Sequence, residues 1–553
     1  VDCLWKRDEQ RDDIAFWFET LGQDPEEVTA GQLLDGATRG AQGLQASGLR
    51  PGGRAFLILP TSVDFVFLLW GTLRLGATPV PAYPPVSLKQ LPVFSSSLLR
   101  MIKAAHADLV IVPDALRQIL LNDGNTDFGG VRLITPEEIW TAAGATAEEL
   151  PPPPQADDLA LIQFSSGSTG DPKGVCLTHA NIMANVRDFL ARMSGRPGDV
   201  CVTWLPLYHD MGLIGTLMGA HISGVKLALF PPTDFLRRPD FWLRILGKYR
   251  ATIGVAPQFA YNLCVRKVHL EQLDGVDLSS LRVLLNGAEP IQAEGVEAFQ
   301  QRFRPLGLQP GVVTPCYGLA EGTLAASMGV PGSPLRLCES QADEGSRTFV
   351  SAGLPMDNTE IRIVGPDGAA LPDGEVGEIC IRGPAVCKGI VQGASVEPSV
   401  DSEGWLHTRD LGFLDRGELV VTGRQKDLII IGGRNYYPQD LEAEVEGLPG
   451  FRIGRVAAFG VTERERATEV LVVVAETTGE PPGEQDAAKS VVELRQRLLT
   501  RFGVAPYDTV LLKRGQIPIT TSGKIRRAQT RTDYERNALG DVVYRLRPAP
   551  PPA

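Results

Sequence analysis

The chain has no cysteine pair at Cys-x2-Cys spacing and few histidines. Its cysteines are Cys3, Cys176, Cys201, Cys264, Cys316, Cys338, Cys380 and Cys387, and its 553 residues include six histidines. This argues against a zinc ribbon and a disulfide framework and leaves buried free thiols in a reducing compartment as the expectation. Positive charge is not in excess: 54 Lys and Arg stand against 66 Asp and Glu, a net charge of −12. Neither nucleic-acid binding nor polybasic attachment to a membrane is therefore expected. Long apolar runs are missing too. The stretch from Phe65 to Leu75 is short and carries Arg74, so no integral membrane association is expected. The opening residues Val1-Asp2-Cys3-Leu4-Trp5-Lys6 do not read as a signal peptide, which makes a cytoplasmic location the expectation. There is no internal repeat.

What is present is ordinary globular material, 43% hydrophobic and 22% charged, in a chain long enough for three or four compact units. Helical and strand patterns alternate from the start. Leu33, Leu34, Ala37, Ala41 and Leu44 predict a helix stopped by Gly48. Arg54 to Leu59 reads as a strand, Val63 to Leu75 as a helix and Pro79 to Ala82 as another extended piece. Such alternation predicts βαβ units around a largely parallel sheet. Pro151 to Pro154 forms a stiff connector, and a second run of strands and helices fills 155–330.

Beyond residue 350 short strands (Glu360 to Val364, Gly377 to Arg382, Gly417 to Thr422) are divided by turn residues, which predicts a small barrel-like subdomain. The expected fold class is α/β. A large N-terminal domain over 1–424 holds two doubly wound βαβ subdomains (about 1–330) and the β-rich subdomain (about 350–422). A small mobile α+β domain follows over 425–545. In it, a helix from Pro438, strands near Val456 and Val470 to Ala475, and a helix from Val491 to Leu499 are expected. A disordered Pro-rich tail at 546–553 ends the chain.

The densest chemical signal is Gln163-Phe164-Ser165-Ser166-Gly167-Ser168-Thr169-Gly170-Asp171-Pro172-Lys173-Gly174. An apolar strand, Leu159 to Phe164, empties into glycines, hydroxyls and one lysine. An amphipathic helix (Ile182, Val186, Phe189, Leu190, Met193) follows. Glycines let backbone N–H groups close around an anion, hydroxyls add donors and the lysine adds a point charge. The order differs from a P-loop, because Lys173 stands three residues after Gly170 and precedes another glycine. A polyphosphate grip outside the usual kinase and GTPase architecture is implied.

Further constellations suit the same ligand. Trp204 to Asp210 places aromatics and His209 beside the apolar, glycine-containing stretch Met211 to Gly219. Asn286-Gly287-Ala288-Glu289-Pro290 follows the strand Val283 to Leu285, and Tyr317-Gly318-Leu319-Ala320-Glu321 joins an aromatic face to a carboxylate. His407 to Gly412 and Gly423 to Asp427 offer an isolated Asp and Arg. Ile517 to Lys524 puts a lysine on a glycine-bearing loop before a basic helix. Singly, each also reads as a turn, a hydrogen-bonded histidine or a solvated lysine. Their joint order carries the signal.

With these residues in place, the chain from about 15 to 535 resembles the adenylate-forming superfamily of acyl-CoA synthetases, peptide-synthetase adenylation domains and luciferases. It is most like the fatty-acyl-AMP ligases. The segments Tyr208-His209-Asp210-Met211-Gly212-Leu213-Ile214-Gly215, Ala256 to Cys264 and Gly433 to Glu442 carry that likeness. The resemblance implies two half-reactions. A carboxylate attacks the α-phosphate of ATP to give acyl-AMP and pyrophosphate. The acyl group then passes to a thiol, in this branch the phosphopantetheine arm of an acyl carrier protein.

It also implies roles. Ser165, Ser166, Gly167, Ser168, Thr169, Gly170 and Lys173 would hold the phosphates, and Thr169 and Glu321 would contact Mg²⁺, a hard ion that takes oxygen ligands. Gly287, Ala288, Glu289, Tyr317, Gly318 and Leu319 would frame the adenine, while Asp410 and Arg424 would serve the ribose. Lys524, His209 and Lys173 would be the catalytic set, with Lys524 acting on charge that grows at the α-phosphate. Tyr208, His209, Met211, Gly212, Gly215, Val255, Ala256 and Phe259 would line the acyl pocket. Lys426 and Asp427 would form the hinge that lets the small domain turn.

Amino-acid adenylation domains carry a pocket aspartate for the substrate ammonium. This chain has Tyr208-His209-Asp210-Met211 at that place and no such element. An unpaired buried ammonium is costly, so a hydrophobic carboxylic acid is expected. Two departures from the branch stand out. Val255-Ala256-Pro257-Gln258 is bulkier than its usual glycines, which points to a shortened pocket. The stretch from Ser327 to Val350 is shorter than the insertion thought to exclude CoA. An acyl- or aryl-CoA synthetase or an amide-forming ligase is the alternative, and a nucleotide-binding protein without turnover the third reading.

Overall fold

Thr29 starts the first long helix, Ala30–Ala46, with a reciprocal cap: Gln32 N donates to its Oγ1 at 3.2 Å and Thr29 N to Gln32 Oε1 at 2.8 Å. The helix buries Leu33, Leu34, Ala37, Ala41 and Leu44, the apolar stripe legible in the sequence, and packs on the helix Val63–Arg74. A Cβ on Gly71 would lie 2.9 Å from Ala37 O and Ala41 N, so only glycine lets the two helices come this near. The computed structural model describes residues 10–85, 91–122, 128, 130–144, 149–165, 173–196, 198–340, 347–393, 395–431, 434–463, 468–480, 482–519 and 525–547.

The described chain divides into two compact units. The first takes in residues up to Thr408 together with Gly412–Val421, and the second takes in Arg409–Leu411 and everything from Thr422 onward. In the first unit a four-stranded parallel sheet has the order Thr78–Pro81, Arg54–Leu57, Leu109–Ile111, Arg132–Ile134. A nine-stranded mixed sheet holds a parallel run: Val313–Gly318, Val283–Asn286, Ile253–Ala256, Val200–Thr203, Lys226–Leu229 and Ile14–Phe18. Helices between these strands make the βαβ pattern that the alternation predicted. Trp204, Phe235, Trp242, Tyr261 and Phe299 fill the core beside the large sheet, with Trp204 stacked on Phe235 at 3.9 Å between centroids.

The helix expected after the phosphate-type loop is present as His179–Arg192, and a strand not read from the sequence precedes it: Lys173–Thr178, paired antiparallel with Leu159–Ser165. The residues that decide this are Val175, Cys176 and Leu177, an unbroken apolar run buried on both faces. Thr178 then caps the helix, accepting from Asn181 N at 3.1 Å.

The β-rich region holds a four-stranded sheet ordered Glu360–Val364, Gly377–Arg382, Leu406–Asp415, Glu418–Arg424. The stretch noted as short contains the antiparallel pair Leu337–Ser340 and Arg347–Val350.

In the second unit four strands (Phe451–Glu463, Thr468–Thr477, Asp508–Leu512, Val542–Leu546) form one sheet covered on both faces. Val456, Ala458, Leu471 and Val473 meet the helices Pro438–Glu446 and Glu484–Phe502, while Ala457, Phe459, Val472 and Val474 face Tyr534 of the helix Arg527–Glu535. This is the two-residue period of a buried strand. The helix expected from Val491 begins seven residues earlier, at Glu484, with Glu484 and Asp486 in its first turn and Gly503 at φ 70° closing it. Leu546 and Arg547, expected to open a disordered tail, are held: Leu546 pairs with Thr509, and Arg547 Nη2 donates to Tyr507 Oη at 3.0 Å. Residues 548–553 lie outside the described chain.

The seven described cysteines are free. Burial pushes the Cys176 and Cys387 thiols up to about 11 and those of Cys201 and Cys316 to about 12, so they stay neutral. Among the described residues no helix is long and apolar enough to cross a membrane.

Candidate active site

Four neighbouring parallel strands of the large sheet end on the same edge. Val200–Thr203 leads to Trp204–Asp210, Ile253–Ala256 to Pro257–Phe259, Val283–Asn286 to Gly287–Glu289, and Val313–Gly318 to Leu319–Glu321. The carboxyl edge of a parallel sheet is where ligands bind in α/β proteins. The sheet therefore brings together the residues expected to frame adenine and those expected to line the acyl pocket.

On the first of these loops His209 precedes the turn Asp210–Gly212, and its Nδ1 lies 2.5 Å from Asp210 Oδ1. Met211 N donates to that carboxylate at 2.7 Å and lies 3.4 Å from Nδ1; because a carboxylate only accepts, the shorter contact has Nδ1 as donor, with Nε2 the acceptor in the neutral ring. Asp210 was not singled out from the sequence; its adjacency to His209 was the signal. Tyr208 O accepts from Gln163 Nε2 at 3.3 Å, and the Tyr208 ring meets Tyr83 edge-on at 6.2 Å. Met211 is buried. A Cβ on Gly212 would stand 2.3 Å from Pro206 O, and one on Gly215 would stand 2.9 Å from Leu324 Cδ2. Gly215 lies in a π-helical turn, Leu213–Met218, a widened geometry frequent at functional sites.

Val255 and Ala256 are buried at their strand end, and Phe259 opens the helix Gln258–Lys267 in edge contact with Trp204 at 5.9 Å. Glu289 Oε2 accepts from Phe259 N at 2.9 Å. Its carboxylate therefore caps the pocket helix and ties the Gly287–Glu289 loop to it. The bulkier Gln258 is buried, accepting from Asn286 Nδ2 at 2.8 Å and donating to Asn262 Oδ1 at 3.1 Å. It serves as a polar brace beneath the strand ends.

Gly287 and Ala288 make a tight turn. A Cβ on Gly287 would meet Cys316 Sγ at 2.7 Å, and Ala288 stands at φ 66°, a strained value for a residue with a Cβ. Tyr317 and Leu319 pack, partly buried, against the cluster that includes Ala326, Ile381 and Leu406. Gly318 is obligatory, since a Cβ there would fall 1.6 Å from Leu324 O. Glu321 sits on the turn Ala320–Gly322, pinned by Thr323 (φ 67°), whose Oγ1 donates to Ala385 O, and by Cys387 N, which donates to Glu321 O at 2.8 Å. An oxygen donor on so fixed a turn is of the type a hard cation takes alongside phosphates.

Of the phosphate-loop residues, Ser166, Gly167, Ser168, Thr169 and Gly170 lie outside the described residues. Their frame does not: Ser165 pairs with Lys173 across the two strands, closing a seven-residue connection over 166–172. Lys173 is partly exposed at its mouth. In the second unit Arg424 Nε donates to Asp410 Oδ1 at 2.9 Å, with Asp410 buried and Arg424 exposed. The residue before Asp410, Arg409, stands at φ 61°. Lys426 and Asp427 occupy the turn Gln425–Asp427, and Lys524 lies outside the described residues.

Glu378, Cys380 and His407, on the outer face of the four-stranded sheet, also cluster, with donor atoms within 4.8 Å of one another. His407 lies between Glu378 (3.1 Å) and Asp401 (3.3 Å), and Arg362 lies 3.6 Å from Asp401. Arg362 and Arg382 flank the Trp405 ring. This is a lattice of matched charges around a thiol that burial raises to about 11.

An α/β fold that gathers these four loops at one sheet edge is the architecture of an adenylate-forming enzyme. The sequence matches the AMP-binding enzyme family over residues 4–391. A protein of Caulobacter vibrioides, provisionally named an acyl-CoA synthetase, is 34% identical over 95% of this chain and 93% of its own. The medium-chain-fatty-acid–[acyl-carrier-protein] ligase JamA of Moorena producens is 34% identical over 89% and 88%. Among solved structures, one from a study of fatty acyl-adenylate ligases of E. coli and L. pneumophila superposes with a TM-score of 0.90 at 32% identity, over 97% of both chains. The chain belongs to the AMP-binding enzyme family, as an AMP-forming ligase of the fatty-acyl-AMP type.

Proposed function

We propose that the enzyme activates a fatty or similar hydrophobic acid with ATP and loads it onto the phosphopantetheine thiol of an acyl carrier protein. The observation that carries this is the placing, at one sheet edge, of the His209–Asp210 pair beside the apolar residues Met211, Val255, Ala256 and Phe259. Asp210 is taken by His209 and Met211 N, so it is not placed for a substrate ammonium.

In the first half-reaction a substrate carboxylate oxygen bonds to the α-phosphorus, the bond to the β-phosphate bridging oxygen breaks, and pyrophosphate leaves. His209 Nε2, a lone pair in the neutral ring, orients the substrate carboxylate through a bridging water. Tyr317, Gly287 and Ala288 hold adenine, with Gly318 and Leu319 shaping the turn, and Asp410 with Arg424 holds the ribose. Ser165 to Gly170 and Lys173 hold the departing phosphates, and Lys524 supports charge growing on the α-phosphate, an interaction that acts on the transition state. Glu321 and Thr169 are the residues that would hold Mg²⁺, which neutralises phosphate charge when bound. In the second half-reaction the thiol attacks the acyl carbon and AMP leaves, after the second unit turns about Lys426 and Asp427.

The acceptor decides between this reading and CoA synthesis, which the short stretch after Glu321 keeps in play. The test supplies ATP, a C2–C16 panel of acids and either CoA or a phosphopantetheinylated carrier protein. Acyl-carrier formation far faster than acyl-CoA formation is expected, and the reverse order would overturn it. Pyrophosphate exchange checks the first half-reaction alone.

A further inference from the structure

Arg527 is the third residue after Lys524 and the first of the helix Arg527–Glu535. Its side chain is partly buried. Nη1 donates to Asp427 Oδ2 at 2.8 Å, while Nε and Nη2 donate to Glu442 Oε1 and Oε2, each at 2.8 Å. Glu442 is fixed in turn, since Ala458 N donates to its Oε1 at 2.9 Å. Burial by itself would lower the Arg527 pKa, but the carboxylates of Glu442 and Asp427 outweigh it and the pKa is raised, so the charge is permanent. The fork is therefore a two-carboxylate clasp, bidentate toward one partner.

Both partners stand at meaningful places. Asp427 follows by six residues the point, after Val421, where the chain passes from the first unit to the second. Glu442 lies on the helix Pro438–Glu446, part of the second unit's core layer. The segment carrying Lys524 is closed at its base by the bridge Ile519↔Ile525 and by Arg526 N donating to Pro518 O at 2.9 Å. Three residues extend about 11 Å at most, so fixing Arg527 restricts where Lys524 can reach.

Stability alone does not explain the clasp, because apolar residues of similar volume commonly serve a buried site as well as an ion triad or better. We infer that Arg527 is a positioning residue for Lys524, tying the chain that carries the lysine to the turn Gln425–Asp427. This deepens the proposed function, since it rests on Lys524 acting in adenylation.

The experiment measures ATP–pyrophosphate exchange with whichever acid of the C2–C16 panel the unaltered enzyme uses best, together with the melting temperature. For folded Arg527→Gln, kcat is expected to fall about ten- to a hundredfold, the cost of a misplacement near 1 Å, with KM for ATP and acid within about twofold. Arg527→Lys should restore part of kcat. At enzyme concentrations that reveal residual turnover, Lys524→Ala,Arg527→Gln should be no slower than Lys524→Ala alone, since the loss of Arg527 acts only through Lys524. A folded Arg527→Gln with unchanged kcat, or losses that multiply in the double variant, overturns the inference. If Arg527→Gln does not fold, an unchanged kcat in Arg527→Lys overturns it equally. Unchanged exchange in Lys524→Ala would instead sink the role of that lysine in the proposed function, which separates the two failures.

Discussion

His209 Nδ1 and Asp210 Oδ1 lie 2.5 Å apart on consecutive residues. The contact fixes a tautomer, because the carboxylate can only accept and Nδ1 must then donate. Nε2 of the neutral ring is left with a lone pair, which a water can bridge to the substrate carboxylate. Asp210→Asn offers an amide that can donate in place of accepting, which permits the opposite tautomer. The expected result is a kcat for pyrophosphate exchange lower by about ten- to a hundredfold, with KM for ATP little changed. A variant as fast as the parent would show that the pair is structural.

Tyr317 is half-buried against the cluster that includes Ala326, Ile381 and Leu406. Stacking of a base on such a ring contributes about 1–3 kcal/mol. Tyr317→Ala should therefore raise KM for ATP roughly 5- to 150-fold, while Tyr317→Phe, which keeps the face, stays within about threefold. Steady-state exchange kinetics at varied ATP check both.

The sequence was most legible where local rules agree with tertiary packing. The stripe Leu33–Leu44 became a helix on its predicted face, and the strand ends at Asn286 and Gly318 were marked by glycines that prove obligatory. Where a residue's role depends on a distant partner, the pattern was silent. Glu289 reads as a nucleotide-loop carboxylate, yet it caps a helix thirty residues earlier in the chain. Gln258 looked like added bulk in the pocket and is a hydrogen-bonded brace. The strand Lys173–Thr178 was hidden because a short apolar run next to an amphipathic helix has no period of its own. The π-helical turn at Leu213–Met218 leaves no trace in residue type.

Asp199 is buried and paired with Arg282 at 2.7 Å, joining the approaches to the strands Val200–Thr203 and Val283–Asn286. Burial alone would raise its pKa, but the hydrogen bonds from Arg282 and Arg196 N prevail and hold it below the usual 3.8. A carboxylate depressed in the folded state adds stability that is complete above its unfolded pKa and fades as pH falls through the folded value. The first unit should thus lose stability below about pH 4. Asp199→Asn should lower the melting temperature at pH 7 and flatten its fall between about pH 4 and pH 2, read by thermal melts across that range.

In the acyl pocket proposed above, Gly215 and Leu324 would set the depth. A Cβ at residue 215 would come within 2.9 Å of Leu324 Cδ2, the movable end of a side chain, and within 4.0 Å of its Cδ1. Gly215→Val therefore fits only by pushing Leu324 aside or by filling space that a substrate chain would occupy. Each methylene denied burial costs the longer acid about 0.8 kcal/mol, roughly fourfold in kcat/KM. Across a series of straight-chain acids the optimum should move to a chain shorter by about two to three carbons, with the rate on acetate and propionate unaffected. Leu324→Ala, which clears the same region, should move the optimum the other way. Opposed shifts in the two variants place the end of the acyl chain at this pair, whereas an unchanged chain-length profile in both would place it elsewhere along the wall formed by Val255, Ala256 and Phe259.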